Sequence, residues 1–121
     1  MAWKLTNEYQ QKTFKKDAVR VAAALNAAKI ACELEHRILY YGHFNRHGKQ
    51  KDFWVDVFLL DPRYEIVGID MEGEGSASSD NLERDAYIKS LGITLLHFKN
   101  STKSQSIIDL LNESFRRKEL P

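Results

Sequence analysis

Three acidic residues interrupt two apolar segments of the chain. Asp56 interrupts the run FWVDVFLL, whereas Asp70 interrupts the run IVGIDM and is followed two residues later by Glu72. An ionised carboxylate inside a buried strand is costly unless its charge is compensated, and a bound cation is a common compensator. Because residues two apart in a strand point to the same face, Asp70 and Glu72 can converge on one ion. The pattern predicts a site for Mg²⁺ or Mn²⁺, with Asp56 as the third ligand.

A divalent cation held by these carboxylates would polarise a phosphate and lower the pKa of a water, which favours in-line attack on a phosphodiester. Glu72 lies where the apolar run gives way to a glycine-rich segment, so it is either the third ligand or the group that orients and deprotonates the water. The sequence leaves both roles open. The alternative for each acid is a solvent-facing position or an ion pair with lysine or arginine.

The elements that must position these acids follow from hydrophobic periodicity and turn signals. The predicted helices cover residues 7–32, 81–91 and 105–117, the strands cover residues 34–41, 53–60, 64–71 and 93–98, and the longer loops cover residues 42–51 and 73–80. A short connection between the second and third strands predicts that they are antiparallel neighbours, which brings Asp56 close to Asp70. The sequence therefore predicts an α/β fold with a central mixed four-stranded sheet flanked by helices, in the order αβββαβα.

Length and composition fit a single domain over residues 1–121, with 43% hydrophobic residues. The 18 Lys and Arg against 17 Asp and Glu leave a net charge of +1, which identifies no partner by itself. Cys32 is the single cysteine, so neither an intramolecular disulfide nor a cysteine-rich zinc site is expected. With no signal peptide or membrane span in residues 1–12, a cytoplasmic location is predicted.

The segment from residue 55 to residue 100 resembles the PD-(D/E)xK nuclease superfamily, especially its small branch related to very-short-patch-repair endonucleases. That branch has an aspartate in one strand, an acid-x-acid-glycine run in the next, an Arg-Asp pair in a helix, and a Gly-led strand that ends in an aromatic residue. These features correspond here to Asp56, to the run from Asp70 to Gly73, to Arg84 with Asp85, and to residues 91–98.

The resemblance implies a restriction-endonuclease-like core and a metal-dependent DNA endonuclease of the homing, restriction, repair or phage type. It implies catalytic roles for Asp56, Asp70, Glu72 and Arg84. It also implies a further acid in the first helix, for which Glu8 is the match and Asp17 the competitor. Because cutting both strands of a duplex generally needs two active sites, the resemblance is compatible with a homodimer or a larger homo-oligomer.

Two departures from the family pattern affect this interpretation. Glu72 stands where the motif lysine usually stands, and the histidine that many relatives carry after the acid-x-acid-glycine run is missing. A cation from elsewhere is expected to substitute, with Lys89, Lys99 and Arg84 as candidates, and His97 is a further candidate at the end of the last strand. The alternatives are a non-catalytic nucleic-acid-binding protein that keeps the fold, and a protein-interaction module in which the acids are structural.

A basic segment at residues 43–51 is the candidate contact surface for DNA. Arg46, His47, Lys49 and Lys51 are expected to neutralise phosphates without reading sequence, while Asn45, Gln50 and Arg46 can also touch base edges. The alternative is a solvated hairpin tip.

Overall fold

The computed structural model describes residues 14–73 and 79–118. The helices are α1 (Lys16–Ala27), α2 (Ser79–Ser90) and α3 (Ser104–Leu110), the last of which continues as a π-helical turn, Leu111–Phe115; the strands are β1 (Cys32–Phe44), β2 (Gln50–Leu59), β3 (Val67–Glu72) and β4 (Thr94–Lys99). The sheet has the order β1-β2-β3-β4, with antiparallel pairing except between the parallel strands β3 and β4. An α/β fold with a mixed four-stranded sheet and three helices, as predicted from the sequence, is confirmed.

The helices cover both faces of the sheet and create two apolar cores. The larger core joins α1 and α3 to one face through residues such as Leu25, Ile69 and Ile107, all fully buried. The smaller core joins α2 to the other face, where Ile88 packs with Ile38, Val55 and Phe58. No helix in the described part of the chain has both the length and the apolar character needed to cross a bilayer.

The alternation of faces along β2 is interrupted at Asp56. Val57 and Leu59 belong to the larger core, whereas Val55 belongs to the smaller one, although strict alternation would place all three on one face. In β1, Glu35 lies opposite Asp56, between the flanking pairs Leu34↔Val57 and His36↔Val55, and it has a φ of 54°. A non-glycine residue in this region marks a local irregularity that redirects side chains.

Beyond this irregularity β1 and β2 continue as a two-stranded hairpin, residues 36–55, which we call the arm. β2 pairs with β3 at Val57↔Ile69 and Phe58↔Gly68. The pairing of β1 with β2 extends much further, to Phe44↔Gln50. The arm therefore extends past the part of the sheet to which β3 is paired, and its base lies at Asp56.

The first helix is shorter than the predicted span of residues 7–32. Residues 7–13 lie outside the described residues, and α1 begins only after Lys15, whose backbone is extended. At the other end Lys29 adopts a left-handed φ of 62°, and the Ile30 amide donates to the Leu25 carbonyl at 2.9 Å. This is a Schellman motif, which ends a helix. The prediction was wrong here because a lysine occupies the position where a glycine would have indicated the end, so Cys32 begins β1 instead of ending α1.

Other boundaries differ from the predictions for local reasons. The loop predicted at residues 42–51 is reduced to a turn at residues 45–49, because the Asn45 side chain accepts the His47 and Lys49 amides at 2.8 and 3.0 Å. The third strand does not begin at Tyr64, because this residue forms a separate bridge with Arg116.

The remaining differences are small. α2 begins at Ser79, inside the predicted loop of residues 73–80, and ends at Ser90, one residue early; β4 is shifted by one residue from the predicted 93–98. The last helical segment ends at Phe115 instead of residue 117, because Arg116 is extended and its bridge continues as a hydrogen bond from the Arg117 amide to the Arg63 carbonyl.

Candidate functional site

Asp56 and Asp70 are neighbours at the point where β2 and β3 separate. The Asp56 amide donates to Asp70 Oδ1 at 3.2 Å, and the Met71 amide donates to Asp56 Oδ2 at 2.9 Å. Where β2 and β3 separate, these two amides no longer reach a main-chain carbonyl of the neighbouring strand. The two carboxylates accept their hydrogen bonds instead. Both residues are buried, with 5% and 3% of their surface exposed.

Asp70, Glu72 and His97 converge on one face of the sheet. Asp70 lies beside His97 in the parallel pairing of β3 with β4, and Glu72 follows two residues later on the same face. One ligand atom from each of the three side chains lies within 4.8 Å of the others. Asp56 is outside this group, so the sequence-predicted trio of Asp56, Asp70 and Glu72 is brought together only in part, and His97 joins instead.

Each of the three predicted acids has a basic partner. Lys15 Nζ lies 3.1 Å from Asp56 Oδ2, and an Arg84 terminal nitrogen lies 2.5 Å from Asp70 Oδ2. His97 Nδ1 contacts Glu72. Arg84, implied by the resemblance, is therefore beside the acids.

Two other candidate cations are placed differently. Lys89 and Lys99 have exposed side chains and form none of the ion pairs with these acids among the residues described. The cation that contacts Asp56 is instead Lys15, which the sequence reasoning missed. It directly precedes the helix in the structure, whereas the sequence had placed it inside a longer helix and gave no sign that it faced the sheet.

Negative charge at the site exceeds the positive charge of its partners. Among the described residues, five carboxylates face two permanent cations, Lys15 and Arg84, and one histidine; the five are those of Glu35, Asp56, Asp70, Glu72 and Asp85. A compact excess of carboxylates favours the uptake of a cation. The ion pairs therefore reduce the local charge without cancelling it.

Glu35 is a second residue that sequence reasoning missed. Burial raises the pKa of its carboxyl, the charges of Asp56 and Asp70 raise this pKa further, and Lys15 opposes them. These couplings place Glu35 next to the cluster. Its position opposite Asp56 in the β1–β2 pairing is a signal that only the strand register reveals.

The pKa of Asp70 is also raised. The principal cause is burial, which disfavours the ionised carboxylate, and the charge of Asp56 acts in the same direction. The cation of Arg84 lowers the pKa but does not outweigh burial. An added divalent cation would reverse this balance by stabilising the ionised form.

The histidine of the cluster is oriented by a further acid. His97 Nε2 lies 2.7 Å from Asp85 Oδ2, while Nδ1 faces Glu72. Metal-ligating histidines typically donate their second ring nitrogen to a carboxylate in this way. Asp85, known from the sequence only as part of the Arg-Asp pair, therefore holds the ring with Nδ1 directed at the acids.

A cavity of about 160 Å³ adjoins the cluster. It is lined by Lys15, Asp70, Met71, Glu72, Gly73, Arg84 and Asn100. Carboxylates and two cationic side chains thus border the same small space. Such a lining can hold a metal ion on its acidic side and an anionic oxygen on its basic side.

The other predicted site residues either lie apart from the cluster or are not among the described residues. Glu8 lies outside the described residues. Asp17, its competitor, pairs with Arg20 at 3.2 Å. The basic residues Arg46, His47 and Lys49 are exposed on the turn of the arm, with Lys51 exposed on β2. Comparison of the chain with protein-family models, curated proteins and solved structures gave no match.

Proposed function

We propose that this protein is a divalent-metal-dependent DNA endonuclease built on a restriction-endonuclease-like core. The observation that carries the proposal is the convergence of Asp70, Glu72 and His97, whose ligand atoms lie within 4.8 Å of one another. Lys15 and Arg84 border the same cavity and supply the cations that a phosphodiester requires. A metal ion and two cations at one small opening suit phosphoryl chemistry better than a purely structural role.

The donor set fits Mn²⁺ at least as well as Mg²⁺. Two carboxylates suit either ion, while an imidazole nitrogen favours the softer transition metal. Asp70 and Glu72 would be the principal ligands, with His97 as the third. Asp56, expected from the sequence to be a ligand, lies outside the group of converging ligand atoms and contacts Lys15, so its proposed role is to position Lys15.

When bound, the ion supplies Lewis-acid polarisation of the scissile phosphate and lowers the pKa of the attacking water. Lys15 Nζ reaches the phosphate from the Asp56 side, and its side chain is 55% exposed, so an anionic oxygen can approach it. Arg84 binds a second phosphate oxygen and stabilises the charge that develops in the transition state. Glu72 is either a ligand or the group that orients the water, and its contact with His97 is compatible with both roles.

The proposal is tested by nicking of supercoiled plasmid in Mg²⁺, in Mn²⁺ and in EDTA. The wild type is expected to nick DNA only with a divalent ion, and Asp70→Asn is expected to lose this activity. Asp109→Asn is a matched control, because Asp109 is an exposed aspartate on α3 far along the chain from the cluster. Nicking that is equal in wild type and Asp70→Asn would contradict the proposed role of the cluster.

A second candidate is a non-catalytic DNA-binding protein that retains this fold. It is favoured by one observation, namely that Asp56, Asp70 and Glu72 each already contact a basic side chain. The two candidates differ in metal uptake. Isothermal titration with Mn²⁺ should detect binding that Asp70→Asn abolishes if the protein is the nuclease, whereas DNA binding without Mn²⁺ uptake or nicking would support the second candidate.

A further inference from the structure

The arm carries all of the exposed aromatic side chains found among the described residues. Tyr41, Phe44 and Trp54 are 71%, 59% and 47% exposed, and the other large apolar side chains with comparable exposure are aliphatic. All three lie on the two strands of the arm. A concentration of exposed aromatic surface on one projecting element indicates a contact surface.

The two faces of the arm have different surroundings. The inner face packs on α2: the Tyr87 hydroxyl donates to the Leu39 carbonyl at 3.0 Å, and the rings of Tyr40 and Tyr87 lie 4.6 Å apart. The outer face carries Trp54 opposite Arg37, followed by side chains from alternate positions of both strands. Neither Trp54 nor Arg37 belongs to an apolar core, so the outer face is not covered by the described helices.

The arm as a whole combines the exposed aromatic rings of its outer face with positive charge. Between residues 36 and 54 the arm has four Lys or Arg residues and one acid, Asp52. Arg37 and Asp52 pair with each other at 2.7 Å on the outer face, so the excess lies at the turn, with Arg46 and Lys49, and beside Phe53 on the inner face, with Lys51. Two copies of such a surface would repel each other, whereas a polyanion with aromatic bases would be attracted. Aromatic side chains beside a basic strip are the combination that binds single-stranded nucleic acid.

We propose that the outer face of the arm is a stacking surface for unpaired bases of DNA, with Trp54 and Tyr41 as the stacking side chains. The assignment of DNA as the ligand rests on the proposed nuclease function. The arm joins the rest of the sheet at Asp56, which contacts Lys15, and Lys15 lines the cavity beside the candidate metal site. The substrate class is therefore DNA that contains a single-stranded segment, such as a flap, a gap or a junction.

The proposal is tested by fluorescence anisotropy with a labelled oligothymidylate and a labelled duplex, in EDTA so that no metal-dependent cleavage occurs. Trp54→Ala is expected to weaken binding of the oligothymidylate by about tenfold, because one base loses its stacking partner. Trp54→Phe should retain most of the affinity. Leu60→Ala is the matched control, because Leu60 is 50% exposed and follows the other end of β2.

The competing occupants of this face give different results. Equal loss of duplex and oligothymidylate binding in Trp54→Ala, or no loss in either, would overturn the stacking role. A wild-type dimer in sedimentation velocity that Trp54→Ala converts to monomer, with oligothymidylate affinity unchanged, would identify a second copy as the occupant. A large loss of folding stability with unchanged affinity would show that the chain itself covers the face, and would likewise overturn it.

The inference and the proposed function fail separately. Metal-dependent nicking by a wild type whose oligothymidylate affinity does not depend on Trp54 would leave the nuclease standing and remove the stacking surface. Trp54-dependent binding of oligothymidylate by a protein that neither takes up Mn²⁺ nor nicks DNA would support the stacking surface and contradict the nuclease function.

Discussion

Asp56 and Asp70 each accept a hydrogen bond from the backbone of the strand that carries the other. Asp70 accepts from the Asp56 amide at 3.2 Å, and Asp56 accepts from the Met71 amide at 2.9 Å. These two acids of the proposed active site therefore also connect β2 and β3 at the point where the strands separate. A substitution at either acid affects folding as well as activity, and experiments must distinguish the two effects.

The first prediction concerns the cost of removing Asp70. Asp70→Ala leaves the Arg84 side chain, which is only 15% exposed, without its closest carboxylate. We expect the free energy of unfolding to fall by about 1–3 kcal/mol, because the largely buried Arg84 keeps only its 3.0 Å contact with Asp85. Asp70→Asn keeps an oxygen for the Asp56 amide and should cost less. Urea denaturation measures both changes.

A double variant, Asp70→Ala with Arg84→Met, provides the control. It removes the charge that Asp70→Ala leaves with Asp85 alone, so it should recover part of the stability lost in Asp70→Ala. If the double variant loses as much stability as Asp70→Ala and Arg84→Met lose together, the ion pair contributes nothing to folding.

The second prediction concerns pH. The pKa values of Asp70 and Glu35 are raised, mainly by burial, so in the folded protein these carboxyls keep their protons to a higher pH than in the unfolded chain. Stability from such groups is lost as the pH rises through the folded pKa. Without divalent ions, the free energy of unfolding due to these groups should therefore increase as the pH is lowered from neutral toward the ordinary pKa of a carboxyl group.

The double variant Glu35→Gln and Asp70→Asn isolates this contribution from that of the other titratable groups. The difference in unfolding free energy between wild type and this variant is the quantity to follow. Asp61 does not interfere, because Arg63 lowers its pKa to about 2 and it stays ionised across the window. Mn²⁺ should stabilise the wild type more at the higher pH, where the acids are ionised. A wild-type advantage that grows with pH in EDTA would contradict the assignment.

The sequence predicts those features of the structure that depend on residues close together in the chain, and it misses those that depend on distant ones. Apolar periodicity predicted the mixed sheet and its helices because burial of a strand or a helix face leaves a local pattern. It missed the end of α1, because the left-handed residue there is Lys29 instead of glycine. Local rules fail where tertiary contacts stabilise an unfavourable backbone conformation.

The candidate site shows the same limit. The spacing of Asp70 and Glu72 was enough to predict that they share a face, but their partners come from distant segments. Lys15 and Glu35 reach the cluster through the start of α1 and through strand register, neither of which leaves a mark in the sequence. The residues that sequence reasoning missed are therefore those that reach the cluster through contacts between distant parts of the chain.

The third prediction concerns the close approach of β2 and β3. A Cβ added at Gly68 would lie 2.8 Å from Val55 Cγ1 and 3.2 Å from Leu95 Cδ1. Gly68→Ala should lower the free energy of unfolding by about 1–3 kcal/mol, because the smaller core has no room for the methyl group. Gly73→Ala is the matched control, since its nearest neighbour, Asn100 Nδ2, would be 3.7 Å away.

A double-mutant cycle with Val55→Ala identifies the cause. Removing the Val55 methyl groups relieves the closest contact, so Gly68→Ala should cost less in the Val55→Ala background than in the wild type. An unchanged cost in both backgrounds would place the strain elsewhere.

The last prediction tests Lys15 as a cation that the proposed nuclease uses in catalysis. Lys15→Met removes the ammonium beside Asp56 and keeps the length of the side chain. We expect the rate of metal-dependent nicking to fall about a hundredfold, because a charge that stabilises the transition state is lost. Mn²⁺ affinity, measured by calorimetry, should not fall, because the loss of a neighbouring cation leaves the site more negative. Lys15→Arg should retain part of the activity, and the adjacent exposed Lys16→Met is the matched control. If Lys15→Met nicks DNA as fast as Lys16→Met, Lys15 only neutralises Asp56, and Arg84 is the remaining cation at the cavity.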